Sequence, residues 1–110
     1  MTVSDLVNKL GMNVLGGSKG LSREILGGYT SDLLSDVMGH ADAGEVWITL
    51  QTHKNVMAIA SLKELAAIVL VKGCQPEADM LAQSEIENIP VLSVEDSAFN
   101  ISGKIYNALQ

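Results

Sequence analysis

Polar side chains that could bind a ligand are concentrated in the segment 49–55, directly after an apolar run typical of a strand. Its hydroxyl, imidazole and amide groups belong to Thr49, Thr52, His53 and Asn55. The segment leads into a run of helix formers, and the first turn of a helix presents unpaired backbone N–H groups and a partial positive charge. Such a turn suits an anion. The pattern therefore predicts an anion site, and the alternative is that Thr52 or His53 only caps the helix.

A second candidate site runs from Arg23 to Asp36. Gly27 and Gly28 would allow a turn with positive φ or a close approach of the backbone to a ligand. Three polar side chains then follow on one short predicted helix, with the first one turn away from the other two: Asp32, Ser35 and Asp36. The carboxylates could hold a metal or a hydroxyl-bearing ligand. The alternative is a solvated helix start with a surface salt bridge to Arg23.

No other part of the sequence has the spacing that catalysis or metal binding requires. Lys19 is followed by glycine, whereas the lysine of a phosphate-binding P-loop is followed by Ser or Thr. Cys74 has no base near it in the sequence, and no Cys or His pair has metal-ligand spacing. We therefore predict no catalytic residue, no metal ion and no cofactor. Acceptance of a phosphoryl group by His53 stays open as a third alternative.

Hydrophobic periodicity predicts the elements that position these residues. Apolar stripes, helix formers and capping residues predict helices over Val3–Leu10, Ser31–Gly39, His53–Glu64, Glu77–Glu87 and Ser97–Leu109. Apolar or β-branched runs predict strands within Met12–Leu15, Arg23–Tyr29, Val46–Leu50, Ala67–Val71 and Pro90–Ser93. Successive strand–helix units predict an α/β fold with a mainly parallel sheet of about five short strands and helices on both faces. In such sheets ligands collect at the carboxyl ends of the strands, near a switch in strand order.

The composition predicts one domain spanning residues 1–110. A hydrophobic fraction of 47% with 18% charged residues excludes a disordered chain. The net charge of −6 disfavours nucleic acid and anionic membranes as partners. No apolar run approaches the ~20 residues of a membrane span, and the chain start lacks the features of a secretion signal. Because the only cysteine cannot form an internal disulfide, we expect a cytoplasmic location.

Three stretches of the sequence together resemble the DRTGG domain family, over almost the whole chain. They are Leu21–Met38, Val46–Val56 and Ala58–Ala60. Arg23 and the pair Gly27–Gly28 match the arginine and glycines of the family signature. The resemblance implies a small α/β module similar to the N-terminal domain of HPr kinase/phosphorylase. In other members of the family, the module is joined to CBS domains in regulated pyrophosphatases. It implies regulation, ligand sensing or dimerisation.

These observations together predict a freestanding, non-enzymatic regulatory or ligand-sensing module. We expect its pocket to lie between a Gly27–Gly28 turn and the segment 49–55, with Arg23 as a counter-charge for a nucleotide or another small anion. We expect it to act as a homodimer or through an unidentified partner protein. The alternative is a structural adaptor or dimerisation domain without a ligand pocket.

Overall fold

The computed structural model describes all residues, 1–110, as five helices and one five-stranded sheet. The helices are α1 (Val3–Leu10), α2 (Leu34–His40), α3 (Asn55–Leu62), α4 (Ala78–Glu87) and α5 (Ala98–Ala108). The strands are β1 (Asn13–Gly16), β2 (Gly27–Thr30), β3 (Glu45–Thr49), β4 (Ala67–Leu70) and β5 (Val91–Ser93). A short 3-10 turn covers Ser18–Gly20.

The sheet is mainly parallel, as the strand–helix alternation predicts. Its strand order is β1-β5-β4-β3-β2, with β2 to β5 parallel and β1 antiparallel to β5. The four parallel strands follow one another in chain order without a reversal. Right-handed crossovers that all progress in one direction place their helices on one face, so α2, α3 and α4 share a face while α1 and α5 cover the other. The crevice that a reversal of strand order opens between parallel strands is therefore not formed here.

Two apolar layers hold the sheet between its helices. Side chains alternate along β3, so Val46 and Ile48 pack toward α1 and α5 while Trp47 packs toward α2, α3 and α4. All four residues of β4 are fully buried. Both strands lie in the interior of the sheet, with β4 in the middle, as their unbroken apolar runs indicate.

Helix starts follow the predicted capping in one case and depart from it in two. Thr2 and Asp5 form a capping box on α1, and Gly11 ends that helix in the left-handed conformation. The predicted helix start at Ser31 is three residues too early, because α2 begins at Leu34 and the Ser31 hydroxyl accepts the N–H of Leu33 without capping the helix. The start of α3 carries no side-chain cap at all.

Candidate functional site

The two halves of the predicted pocket lie at opposite ends of the β2–β3 pair. Gly27 is level with Glu45 at the amino end of β3, whereas Thr49 is its last residue. Four residues of strand separate the two levels by about 13 Å. The prediction that the glycine pair faces the segment 49–55 is therefore wrong.

Gly27 and Gly28 also do not form a turn. Both are extended residues of β2, and the four glycines with positive φ are Gly11, Gly17, Gly44 and Gly73. The sequence prediction fails because glycine permits a left-handed turn without requiring one.

Arg23 binds the C-terminal end of α4. Its guanidinium donates from Nε to the carbonyl of Asn88 at 2.9 Å and from Nη2 to the carbonyl of Glu87 at 3.4 Å. Cationic donors favour the unpaired carbonyls at a helix C-terminus. Arg23 therefore caps α4 and provides no counter-charge for the segment 49–55, which corrects the prediction.

Asp32 fastens the loop after β2 to the loop after β3. Its Oδ1 accepts the hydroxyl of the buried Thr49 and the N–H of Leu50, both at 2.9 Å. The amide of Gln51 donates to the Asp32 carbonyl at 2.8 Å. Asp32 and Thr49, which belong to different candidate segments in the sequence, are thus brought together, and Asp32 holds the loop that leads to α3.

Asp36 has different partners from Asp32, so the two do not form a carboxylate pair. Hydrogen bonds from Ser31 and Tyr29 hold the pKa of Asp36 below its usual range, and Nδ1 of His40 lies 3.2 Å from the same carboxylate. Partial burial and the Asp36 carboxylate raise the pKa of Tyr29. Ser35 is exposed on α2. The chain has no group of three or more His, Cys, Asp or Glu side chains that could hold a metal ion.

The start of α3 presents a row of unpaired donors at the carboxyl edge of the sheet. The backbone N–H groups of residues 52–55 donate no hydrogen bond within the protein, and the first bonds of this turn are those from Val56 to His53 and from Met57 to Lys54. Neither Thr52 nor His53 caps the helix. The Nδ1 atom of His53 is buried without a hydrogen-bond partner in the protein. The ammonium of Lys54 and the amide of Asn55 are exposed beside this turn.

The loop before α3 is also linked to the start of α4. The carbonyl of Thr52 accepts the N–H of Glu77 at 2.8 Å. Cys74 lies half-buried in the same loop before α4 and packs against the core under α2, α3 and α4. A movement of the segment 49–55 would therefore also displace the start of α4.

A cavity lies elsewhere, in a groove between β2 and α5. It has a volume of about 680 Å³, and its lining includes Ile25, Leu26, Gly28, Ile48, Ile105 and Tyr106. The hydroxyls of Thr30 and Ser102 form a 2.8 Å hydrogen bond across it. Sequence reasoning missed this groove, because the apolar stripe on α5 predicts burial but does not reveal which strand lies beneath it.

The fold and these sites define a small α/β module with a mixed sheet, a polar loop at the carboxyl edge of that sheet, and an apolar groove beside the edge strand β2. The family model of the DRTGG domain matches residues 5–108. The chain belongs to the DRTGG domain family, which confirms the resemblance seen in the sequence.

A solved structure supports the fold assignment. The chain is similar to the CBS and DRTGG domains of the regulatory region of Clostridium perfringens pyrophosphatase, crystallised with the activator diadenosine tetraphosphate. The TM-score is 0.71 at 10% sequence identity, over 93% of this chain and 44% of that chain. This chain thus spans less than half of the pyrophosphatase fragment. No curated protein matches the sequence. None of the helices is long and apolar enough to cross a membrane.

Proposed function

We propose that the chain is a non-enzymatic regulatory module that senses a small anion, such as a nucleotide, at the start of α3. The observation that carries the proposal is the row of unpaired N–H groups at residues 52–55. Membership of the DRTGG domain family supports the regulatory role. The similar pyrophosphatase region, which binds a dinucleotide activator, makes nucleotides the first ligands to test.

The chemistry of the loop favours phosphate oxygens over other acceptors. Consecutive N–H groups at a helix start point toward a bound anion, and the helix dipole adds a favourable field. The exposed ammonium of Lys54 supplies a full positive charge beside them. Asp32 fixes the preceding end of β3 through hydrogen bonds from Thr49 and Leu50. The loop that carries the donors is therefore attached to the sheet at the end of β3.

His53 provides a means for binding to change the protein. A buried polar atom without a partner costs about 1–3 kcal/mol, and Nδ1 of His53 is such an atom. In the tautomer that carries its proton on Nδ1, an anion that reorganises the loop and accepts a hydrogen bond from this nitrogen recovers that energy. Because Thr52 bonds to Glu77, the rearrangement reaches α4. The ligand thereby favours one loop arrangement over the other, as a regulatory ligand must.

Calorimetric titration of the 110-residue chain tests the ligand. The probes are diadenosine tetraphosphate, ATP, AMP and pyrophosphate, and we expect at least one to bind saturably. Lys54→Gln should weaken that binding, because the variant loses the charge beside the helix start. Lys19→Gln is the matched control, since Lys19 is an exposed lysine in the 3-10 turn. The absence of binding by all four probes at millimolar concentration would remove the ligand from the proposal.

We propose further that the module acts in the cytoplasm as a homodimer and through a partner protein. Exposed apolar side chains on α3 and α4, Leu62 at 67% and Ile86 at 71%, offer area for self-association. Sedimentation equilibrium measures the mass directly. A monomer at high protein concentration contradicts the homodimer. A dimer that binds none of the anions would leave the structural adaptor as the better function.

A further inference from the structure

Strand β2 forms an open edge of the sheet. It pairs only with β3. Leu26 donates its N–H to Gly44 on the β3 side. Because alternate residues of a parallel strand face the neighbouring strand, the N–H and carbonyl groups of Gly27 and Tyr29 point to the open side. An edge of this kind is a template for another strand.

The two edges of the sheet differ in how they are protected. The register of β1 shifts between Val14 and Gly16, and such a bulge disrupts regular pairing with an added strand. Strand β2 pairs in unbroken register over all four residues and carries no Lys or Pro. The N-terminal residues pair with residues 23–25 just before β2, so the unprotected edge is the β2 edge over Gly27–Thr30.

The groove between β2 and α5 offers a place for a side chain of an added strand. A Cβ at Gly28 would meet only Cγ2 and the carbonyl oxygen of Val46, at 3.6 and 3.8 Å, which are ordinary contacts. The strand thus has room for a side chain that the sequence does not supply. Leu26 and Tyr106 line the same groove and are 76% and 66% exposed. A neighbouring strand would cover this apolar surface.

Charge indicates which kind of chain would pair with the edge. Residues 24–53, which include β2, contain five acidic residues and neither Lys nor Arg: Glu24, Asp32, Asp36, Asp42 and Glu45. The Glu45 carboxylate reaches within 3.3 Å of the Cβ position at Gly27. Pairing two copies through β2 would bring two such segments together, which like-charge repulsion disfavours. A basic segment would instead be attracted.

We propose that the β2 edge and the β2–α5 groove bind an extended segment of another protein that carries Lys or Arg. The segment adds to the sheet as a sixth strand through backbone hydrogen bonds with Gly27 and Tyr29. One of its apolar side chains enters the groove beside Gly28, and its basic side chains meet the acidic flanks. This is strand addition, in which the main chain gives affinity and alternate side chains give specificity. The site is separate from the anion site, so either proposal can fail alone.

Three synthetic decapeptides with blocked ends test the backbone and charge requirements on the nitrogen-15-labelled chain. The first alternates lysine and valine, the second alternates glutamate and valine, and the third repeats the first with alternate backbone nitrogens methylated. We expect the first to shift the amide resonances of residues 26–31 and 102–109. The second should not bind. The third should bind at least about tenfold more weakly, because it keeps the charge but loses the ladder donors.

Two substitutions test the edge and the groove separately. Gly27→Pro removes an outward N–H at a position where an edge strand tolerates proline. Gly28→Val fills the groove with a residue that favours strands. Both should weaken the lysine–valine peptide at least about tenfold. Gly103→Ala is the matched control, since a Cβ there meets nothing within 4 Å.

Three results would overturn the proposal. Equal binding of the methylated peptide would show that charge alone attracts it to the surface. Unchanged affinity of Gly28→Val, folded as judged by its spectrum, would show that the groove is not used. A dimer of the unsubstituted chain that Gly27→Pro dissociates would show that a second copy occupies the edge.

Discussion

At the carboxyl edge of the sheet, some polar side chains have hydrogen-bond partners and one does not. Asp32, Thr49 and Leu50 satisfy one another, whereas His53 keeps a buried nitrogen without a partner in the protein. Proteins rarely retain an orphaned buried polar atom without a reason. Under the proposed function, His53 is the residue at which stability and ligand binding oppose each other.

Replacing His53 by leucine should stabilise the ligand-free chain. The substitution removes the unpaired nitrogen and keeps a side chain of moderate size, so the free energy of unfolding should rise by about 1 kcal/mol or more. Affinity for the anion should fall in the same variant. Urea unfolding and calorimetric titration measure the two effects. His40→Leu is the control, because His40 is exposed and should change stability by no more than about 0.5 kcal/mol. A large loss of stability in His53→Leu would contradict the argument.

The Tyr29–Asp36 hydrogen bond should make the free energy of unfolding fall both at low pH and at high pH. The pKa of Asp36 is lowered in the folded chain, so its contribution to stability is complete above about pH 4 and is lost as pH falls toward the folded pKa. The pKa of Tyr29 is raised, so its contribution is present below about pH 10 and is lost as pH rises through the folded pKa.

Tyr29→Phe tests this pair directly. It should raise the pKa of Asp36 toward its ordinary value while the Ser31 bond remains. Carbon NMR of the carboxyl groups follows the titration. Asp5, whose lowered pKa depends on Thr2, is the internal control and should not move. An unchanged Asp36 titration would show that the phenol contributes little to it.

At the scale of elements, the sequence predicts which segments become helix or strand far better than which strands meet. The apolar runs around Trp47 and Val69 identify two of the three interior strands, because a strand buried on both faces lacks polar alternation. The pairing of Gly27 with Glu45 depends on the whole sheet, and no local pattern encodes it. For this reason the carboxyl-edge loop could be predicted from its own residues, but the glycine pair was assigned to the wrong place.

One added negative charge at the start of α3 should stabilise the helix and weaken anion binding. Asn55→Asp places a carboxylate in the first turn, where the helix dipole should stabilise it by about 0.3–1 kcal/mol. The same charge should repel a bound anion and weaken its binding. Asn107→Asp is the matched control, since it puts the charge in the last turn of α5 and should destabilise that helix without affecting the ligand. Tighter anion binding by Asn55→Asp would exclude this turn as the site.

At the scale of the molecule, the fold separates two kinds of surface. The unpaired donors and Lys54 lie at the carboxyl edge, whereas Glu45, one of the acids of residues 24–53, lies beside Gly27 at the other end of β2. A chain of net charge −6 can therefore attract an anion at one place and a basic segment at another. Strand β2 ends at Thr30, two residues before Asp32, whose side chain holds the loop leading to α3. That short path connects the two surfaces.

Binding at the two surfaces should therefore be coupled through Asp32. An added strand that orders β2 also orders Asp32, and with it the loop that presents the donors of residues 52–55, so each ligand should tighten the other. The lysine–valine decapeptide, titrated with and without a saturating anion, should show a change of at least about fivefold, equal in both directions because coupling is reciprocal. Asp32→Ala should abolish the coupling and cost about 1–3 kcal/mol of stability, since the buried Thr49 hydroxyl loses its only acceptor and keeps only the N–H of Gln51 as a partner. Asp42→Ala removes an exposed acid from the same segment without touching that hydroxyl, so it should preserve the coupling. Equal peptide affinities with and without the anion would show that β2 and the start of α3 act independently.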